Sequence, residues 1–116
     1  MEGKLGFLDL DLTIMNVYAP YKNRDCFWDS LSASDLLNSQ NLILARDLNF
    51  TLSLAEIWGH NAKMDPMAFY FKNLLESFDL VDIFPPMLEP TWSNGRSGKD
   101  DIHKRLERFV VKTSLI

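Results

Sequence analysis

Residues 41–45, Asn-Leu-Ile-Leu-Ala, are a short apolar run fenced by polar residues on both sides. Such a run reads as a buried strand. A buried strand commits the chain to a layered fold, because its neighbours and its cover must come from elsewhere in the sequence. Residues 5–18 alternate apolar and polar near 7–12 and then become almost wholly apolar, the pattern of one strand, or of two with a break, entering a sheet. Ala19-Pro20 ends it, since proline cannot donate to a ladder. Asn23 stands as an N-cap for a helix over about 24–38, with Phe27, Trp28, Leu31 and Leu37 on one face. A loop rich in Asn, Ser and Gly follows from about 46 to 65. Asp65-Pro66 then starts a second helix, along which Met67, Tyr70, Phe71, Leu74, Leu75 and Phe78 recur at helical spacing. Residues 80–84 read as a strand stopped by Pro85-Pro86. Pro90-Thr91-Trp92-Ser93 reads as a strand edge, 94–98 as a turn, and 105–111 as a last strand. Strands and helices are mixed, so the expected class is an α/β or α+β layered domain. Ile14, Val17, Leu42, Leu44, Phe71 and Leu75 are expected in its core.

One domain is what 116 residues allow. At 47% hydrophobic and 24% charged residues, with eight Phe, three Trp and three Tyr, the chain can fill a core and is neither disordered nor collagen-like. No apolar run approaches the roughly 18 residues of a membrane span, so no membrane partner is expected. The first five residues lack the apolar stretch of a secretory signal. The single Cys26 excludes an internal disulfide and a multi-cysteine zinc site, and a reducing compartment is the default. Beside Phe27 and Trp28 it reads as a small core residue. Charge is uneven. Residues 1–90 hold 6 Lys and Arg against 13 Asp and Glu, or −7, whereas residues 91–116 hold 6 against 3, or +3. That basic tail is either a solvated face or a surface for phosphates.

The segment 42–50, Leu-Ile-Leu-Ala-Arg-Asp-Leu-Asn-Phe, carries the chemistry. It runs from the buried strand into a turn with Asp47 and Asn49 two positions apart, pointing the same way if the backbone stays extended. A carboxylate there can take a proton from water, and the amide can donate to a phosphate oxygen. The plain alternative is turn chemistry, with both side chains bonded to the local backbone.

Asn16-Val17-Tyr18-Ala19-Pro20 precedes that segment, and Thr91-Trp92-Ser93-Asn94 and Lys104-Arg105-Leu106-Glu107-Arg108-Phe109 follow it. In this order and spacing the chain resembles the endonuclease/exonuclease/phosphatase family, and within it the endonuclease region of plant LINE-type (non-LTR) retrotransposon proteins, which accompanies a reverse transcriptase. The resemblance runs from about Leu12 to the end. It implies a DNase I-like four-layer α/β/β/α sandwich, two sheets face to face with helices outside, and Mg²⁺-dependent hydrolysis of a nucleic-acid phosphodiester by an activated water. It implies that Asp47 orients or deprotonates the water, and that Asn49 and Tyr18 contact phosphate. Glu107 would stand for the acid that orients a catalytic histidine. Trp92, with Asn94 and Arg105, would hold the nucleic acid, and DNA is the implied partner. Tyr18 and Trp92 have core positions as their alternative, and Arg105 and Glu107 solvent-facing strand positions. His60 and His103 match no family position and read as surface residues.

Departures from the pattern matter equally. Arg46 stands where the family has Gly, Tyr21 where an Asn often follows the proline, and Glu107 where it has Asp. The family's metal-binding Glu and its catalytic His match nothing in the chain. The expectation is therefore a single incomplete domain over 1–116, with its cation ligand missing, an apolar sheet face in need of a missing half or partner, and little or no activity of its own. No residue is assigned as a metal ligand, and location is left open, an intracellular and nuclear one being the expectation. A nucleic-acid- or protein-binding module, and a retroelement remnant without function, stay open as alternatives.

Overall fold

The computed structural model describes residues 12–116; the expected strand over residues 5–11 lies outside the described residues. The fold is mixed α/β, with two sheets and two helices. The strands are β1 (Thr13–Tyr18), β2 (Leu42–Asp47), β3 (Ile57–Trp58), β4 (Leu80–Asp82), β5 (Trp92–Ser93), β6 (His103–Lys104) and β7 (Glu107–Lys112), and the helices are α1 (Arg24–Ala33) and α2 (Ala68–Ser77). The larger sheet has the order β1-β2-β7-β4, with β1 and β2 parallel and β7 antiparallel to both of its neighbours. A small antiparallel sheet, β3-β6-β5, stands beside it.

Both helices bury their apolar stripes on one face of the larger sheet. Phe71, Leu74 and Leu75 lie one helical turn apart on α2 and meet Leu44, Leu80 and Val110, while Trp28 of α1 is fully buried beside them. Phe50 stacks on Phe71 at 4.4 Å between ring centres, and Trp28 meets both edge-on. Truncating any of these rings would cost about 3–5 kcal/mol. Asp65 receives the Met67 backbone N–H at 2.9 Å, so it sets the approach to α2, although the helix itself begins two residues beyond Pro66.

The opposite face of the larger sheet carries apolar side chains in the open. Ile14 is 62% exposed and Phe109 60% exposed. With Ile83, Pro85, Met87 and Ala45 they line a groove of about 620 Å³. Ile14 is thus not a core residue as expected: strand alternation turns it away from the helices, whereas Val17, Leu42, Leu44, Phe71 and Leu75 are buried. Cys26 is exposed rather than core, since α1 shows Trp28 to the sheet. Asn23 precedes α1 with a left-handed backbone (φ 58°) and no side-chain capping bond, so it shapes the turn without acting as the expected cap. The helix stops at Ala33, and 36–38 form a separate 3₁₀ turn.

The basic tail is partly internal. Arg105 and Arg108 are buried, and with Glu56 and Asp82 they form a closed set of ion pairs. Arg105 pairs with Glu56 at 2.6 Å and Asp82 at 2.8 Å, and Arg108 pairs with Glu56 at 3.1 Å and Asp82 at 3.0 Å. Arg105 Nη2 also donates to the Ile83 carbonyl, and the Arg108 Nη2 that meets Glu56 is shared with the carbonyls of Phe50 and Arg105. This set joins the small sheet to the large one, because Glu56 leads into β3 and Asp82 ends β4.

Candidate active site

The sheet register builds the site. Tyr18 pairs with Asp47, and Asp47 with Glu107, so the three residues are register neighbours across β1, β2 and β7, although Tyr18 does not line the cleft described below. Tyr18 is 72% exposed, which removes the core reading of that ring, and Trp92 is exposed as well. Asp47 is half-buried at the end of β2. Burial raises the proton affinity of its carboxyl above the ordinary carboxylate range, and the Glu107 charge adds to the rise, while the Asn49 N–H works against it.

Asn49 has a left-handed backbone, φ 56°, so 47–49 is not the extended stretch that would aim Asp47 and Asn49 alike. Instead the Asn49 N–H donates to Asp47 Oδ1 at 3.0 Å, an Asx-type turn. The Asn49 side-chain amide donates to the Ala19 carbonyl at 3.1 Å, and the Ala19 N–H donates to the Asp47 carbonyl at 2.9 Å. The turn chemistry and the site therefore coincide. One of the two Nδ2 hydrogens is used in this bond, which leaves the second without a partner in it.

Asp47 and Asn49 share a cleft of about 140 Å³ with Tyr21, Trp92, Lys104 and Leu106. The Lys104 ammonium lies 5.6 Å from the centre of the Trp92 ring, a cation–π distance that holds an aromatic plane and a positive charge side by side. Thr91 Oγ1 accepts from the backbone N–H groups of Leu106 and Glu107, at 2.8 and 3.0 Å, which fixes the start of β7 and hence Glu107. Glu107 itself faces the apolar groove, where Arg46 also lies, so it borders the cleft without lining it.

One expected nucleic-acid contact is corrected. Arg105 is buried with its guanidinium held by Glu56, Asp82 and Ile83, so it neither reaches a ligand nor faces solvent. The Asn94 side chain braces its own turn: one amide hydrogen donates to the Asp100 carbonyl and its oxygen accepts from the Arg96 and Ile102 N–H groups. His60 is exposed; His103, also read as a surface residue, is half-buried and paired with Asp101 at 2.9 Å. Tyr21, Lys104 and Thr91 were not picked out as site residues. Each had a signal: Tyr21 stands where the family pattern often has an Asn, Lys104 opens the segment 104–109, and Thr91 adjoins Trp92.

No group of three or more His, Cys, Asp or Glu side chains among the described residues is placed to hold a metal ion. No helix among them is long and apolar enough to cross a membrane.

No family model matches the chain, and no curated protein sequence matches it. Solved structures do. The chain is similar to the endonuclease domain of TRAS1, a telomere-specific non-LTR retrotransposon, with a TM-score of 0.65 at 14% identity. The match covers 91% of this chain and 47% of that one, so the chain spans about half the length of its structural neighbour. At that identity the likeness speaks for an endonuclease-like fold.

Proposed function

We propose that this chain holds the water-activating and phosphate-contacting part of a nucleic-acid phosphodiesterase site of the endonuclease/exonuclease/phosphatase type, as in plant LINE-type elements. By itself it binds single-stranded or unpaired DNA with little or no cutting. The observation that carries this reading is the cleft in which a proton-hungry Asp47 and the Asn49 amide lie beside the Trp92–Lys104 pair. Asp47 takes a proton from a water more readily than an ordinary aspartate does, because burial raises its proton affinity. The free N–H of Asn49 donates to a non-bridging phosphate oxygen. Trp92 and Tyr21 offer ring faces to bases, and Lys104 meets the backbone charge. Tyr18 adds a phenol O–H from the neighbouring strand.

In this reading 1–116 is one incomplete domain, and the Mg²⁺-binding acid and the catalytic histidine come from outside it. The second sheet of a four-layer sandwich would cover the groove lined by Ile14 and Phe109. The coverage of 47% of the structural neighbour supports this arrangement. The test has two arms. In supercoiled plasmid nicking with Mg²⁺ the purified chain should leave the plasmid intact. Robust cutting that disappears in Asp47→Ala would overturn the inactivity. Anisotropy of a labelled DNA oligonucleotide should rise on titration and weaken with salt, and Trp92→Ala should weaken binding by about 1–3 kcal/mol. A flat titration would overturn the binding.

A further inference from the structure

Arg24 and Asp65 form an ion pair that the site above does not use. Arg24 is the first residue of α1 and Asp65 precedes α2, 41 positions away. The pair is two-pronged, Nη1 to Oδ2 at 2.6 Å and Nη2 to Oδ1 at 2.8 Å, with side chains only 13% and 7% exposed. Asp65 is held further by the Met67 and Thr51 backbone N–H groups. Pairs of this geometry are among the stronger polar contacts in proteins.

The same Nη1 also donates to the Asn49 carbonyl at 2.9 Å. The guanidinium carbon lies 6.0 Å from the Tyr21 ring centre and 5.5 Å from that of Phe71. Arg24 therefore touches two residues of the cleft and anchors on the core. The left-handed Asn49 has its N–H fixed by Asp47, its side chain fixed by Ala19, and its carbonyl fixed by Arg24. Removing the last of these leaves the Asn49 carbonyl without its side-chain donor and loosens the peptide after Asn49, so the left-handed turn that carries the amide is held by two bonds in place of three.

We infer that Arg24, braced by Asp65, is a positioning residue for the phosphate-contacting Asn49. The inference rests on the reading of the cleft as a nucleic-acid site. Arg24 itself makes no contact with the phosphate. A lysine cannot replace it, because an ammonium lacks the planar fork that meets Asp65 and the carbonyl together.

The test is a double-mutant cycle on the full chain, with a short labelled DNA oligonucleotide as probe. Arg24→Lys keeps the charge and is chosen over Arg24→Ala to preserve folding, checked by the unfolding midpoint. It should weaken binding about tenfold, the scale on which a lost supporting contact acts. In an Asn49→Ala background it should add little, because the two act through one group. In the free protein it should move the NMR signals of the Asn49 side-chain amide while leaving the Trp28 indole signal in place. If Asn49→Ala weakens binding and Arg24→Lys does not, or if the two effects simply add, the positioning role falls while the site reading stands. If Asp47→Ala, Asn49→Ala and Trp92→Ala all leave binding unchanged, the site reading falls, and the inference with it. Should Arg24→Lys fail to fold, Asp65→Asn, which removes the brace while keeping Arg24, is carried through the same cycle.

Discussion

Replacing Arg46 by glycine should stabilise the protein, and the backbone gives the size of the gain. Arg46 lies within β2 at φ 97°, opposite Arg108 in the register. An L-residue in the left-handed region crowds its Cβ against the backbone, at a cost of about 1–2 kcal/mol. Glycine removes that crowding but costs about 0.5–1 kcal/mol in backbone entropy on folding. The Arg46 side chain is exposed, so truncating it forfeits little packing. The net gain is about 0.5–1 kcal/mol, equal to about 2–4 °C in the midpoint for a chain of this size. Calorimetry should compare Arg46→Gly with Arg46→Ala. Alanine keeps the Cβ, so it should stay within about 0.5 kcal/mol of the parent. An equal gain in both variants would assign the effect to the lost charge. A loss on Arg46→Gly would refute the strain argument outright.

Glu56→Gln leaves the buried Arg105 and Arg108 charges with Asp82 alone, and should cost about 3–5 kcal/mol, read as a lower urea midpoint. Asp47→Asn should raise the thermal midpoint at neutral pH. The folded state raises this carboxyl's proton affinity above the ordinary value of 3.8, so the ionised form costs stability once the pH has risen past that value, and the gain should fade as the pH falls below it. Asp65→Asn carries the opposite sign. Burial raises the affinity of that carboxyl, but hydrogen bonds from Arg24, Met67 and Thr51 outweigh it and hold it below 3.8. Its stabilisation is full above 3.8 and lost as the pH falls through the lowered value, so this variant should be weaker at neutral pH and converge with the parent in acid. Phe109→Ser should cut binding of an apolar dye and self-association in sedimentation, with stability within about 0.5 kcal/mol, because the ring lies in solvent.

The elements with a strong local signal were legible: β2 from its apolar run, α2 from the spacing of Phe71, Leu74 and Leu75, and the turn at 94–98 from Asn94-Gly95. Ile14 and Cys26 were misplaced for one reason. An apolar residue type says that burial is favourable, not which face the pleat or helix turns inward. Arg105 was read as a ligand contact because a sequence shows a charge but not its partners, which lie 49 and 23 positions away. Asp47, Asn49 and Tyr18 came from a strand-end motif and a resemblance. Arg24 had no local mark, since its meaning depends on an aspartate 41 positions further on.

Glu107 lines the apolar groove, while its register partner Asp47 lines the cleft. The two compartments are thus separated by a single strand spacing of about 4.8 Å. Whatever seats itself in the groove would strip water from Glu107 and let its charge press harder on Asp47. The proton affinity of Asp47 would then rise with occupancy of the groove. By reciprocity, protonating Asp47 would favour that occupant.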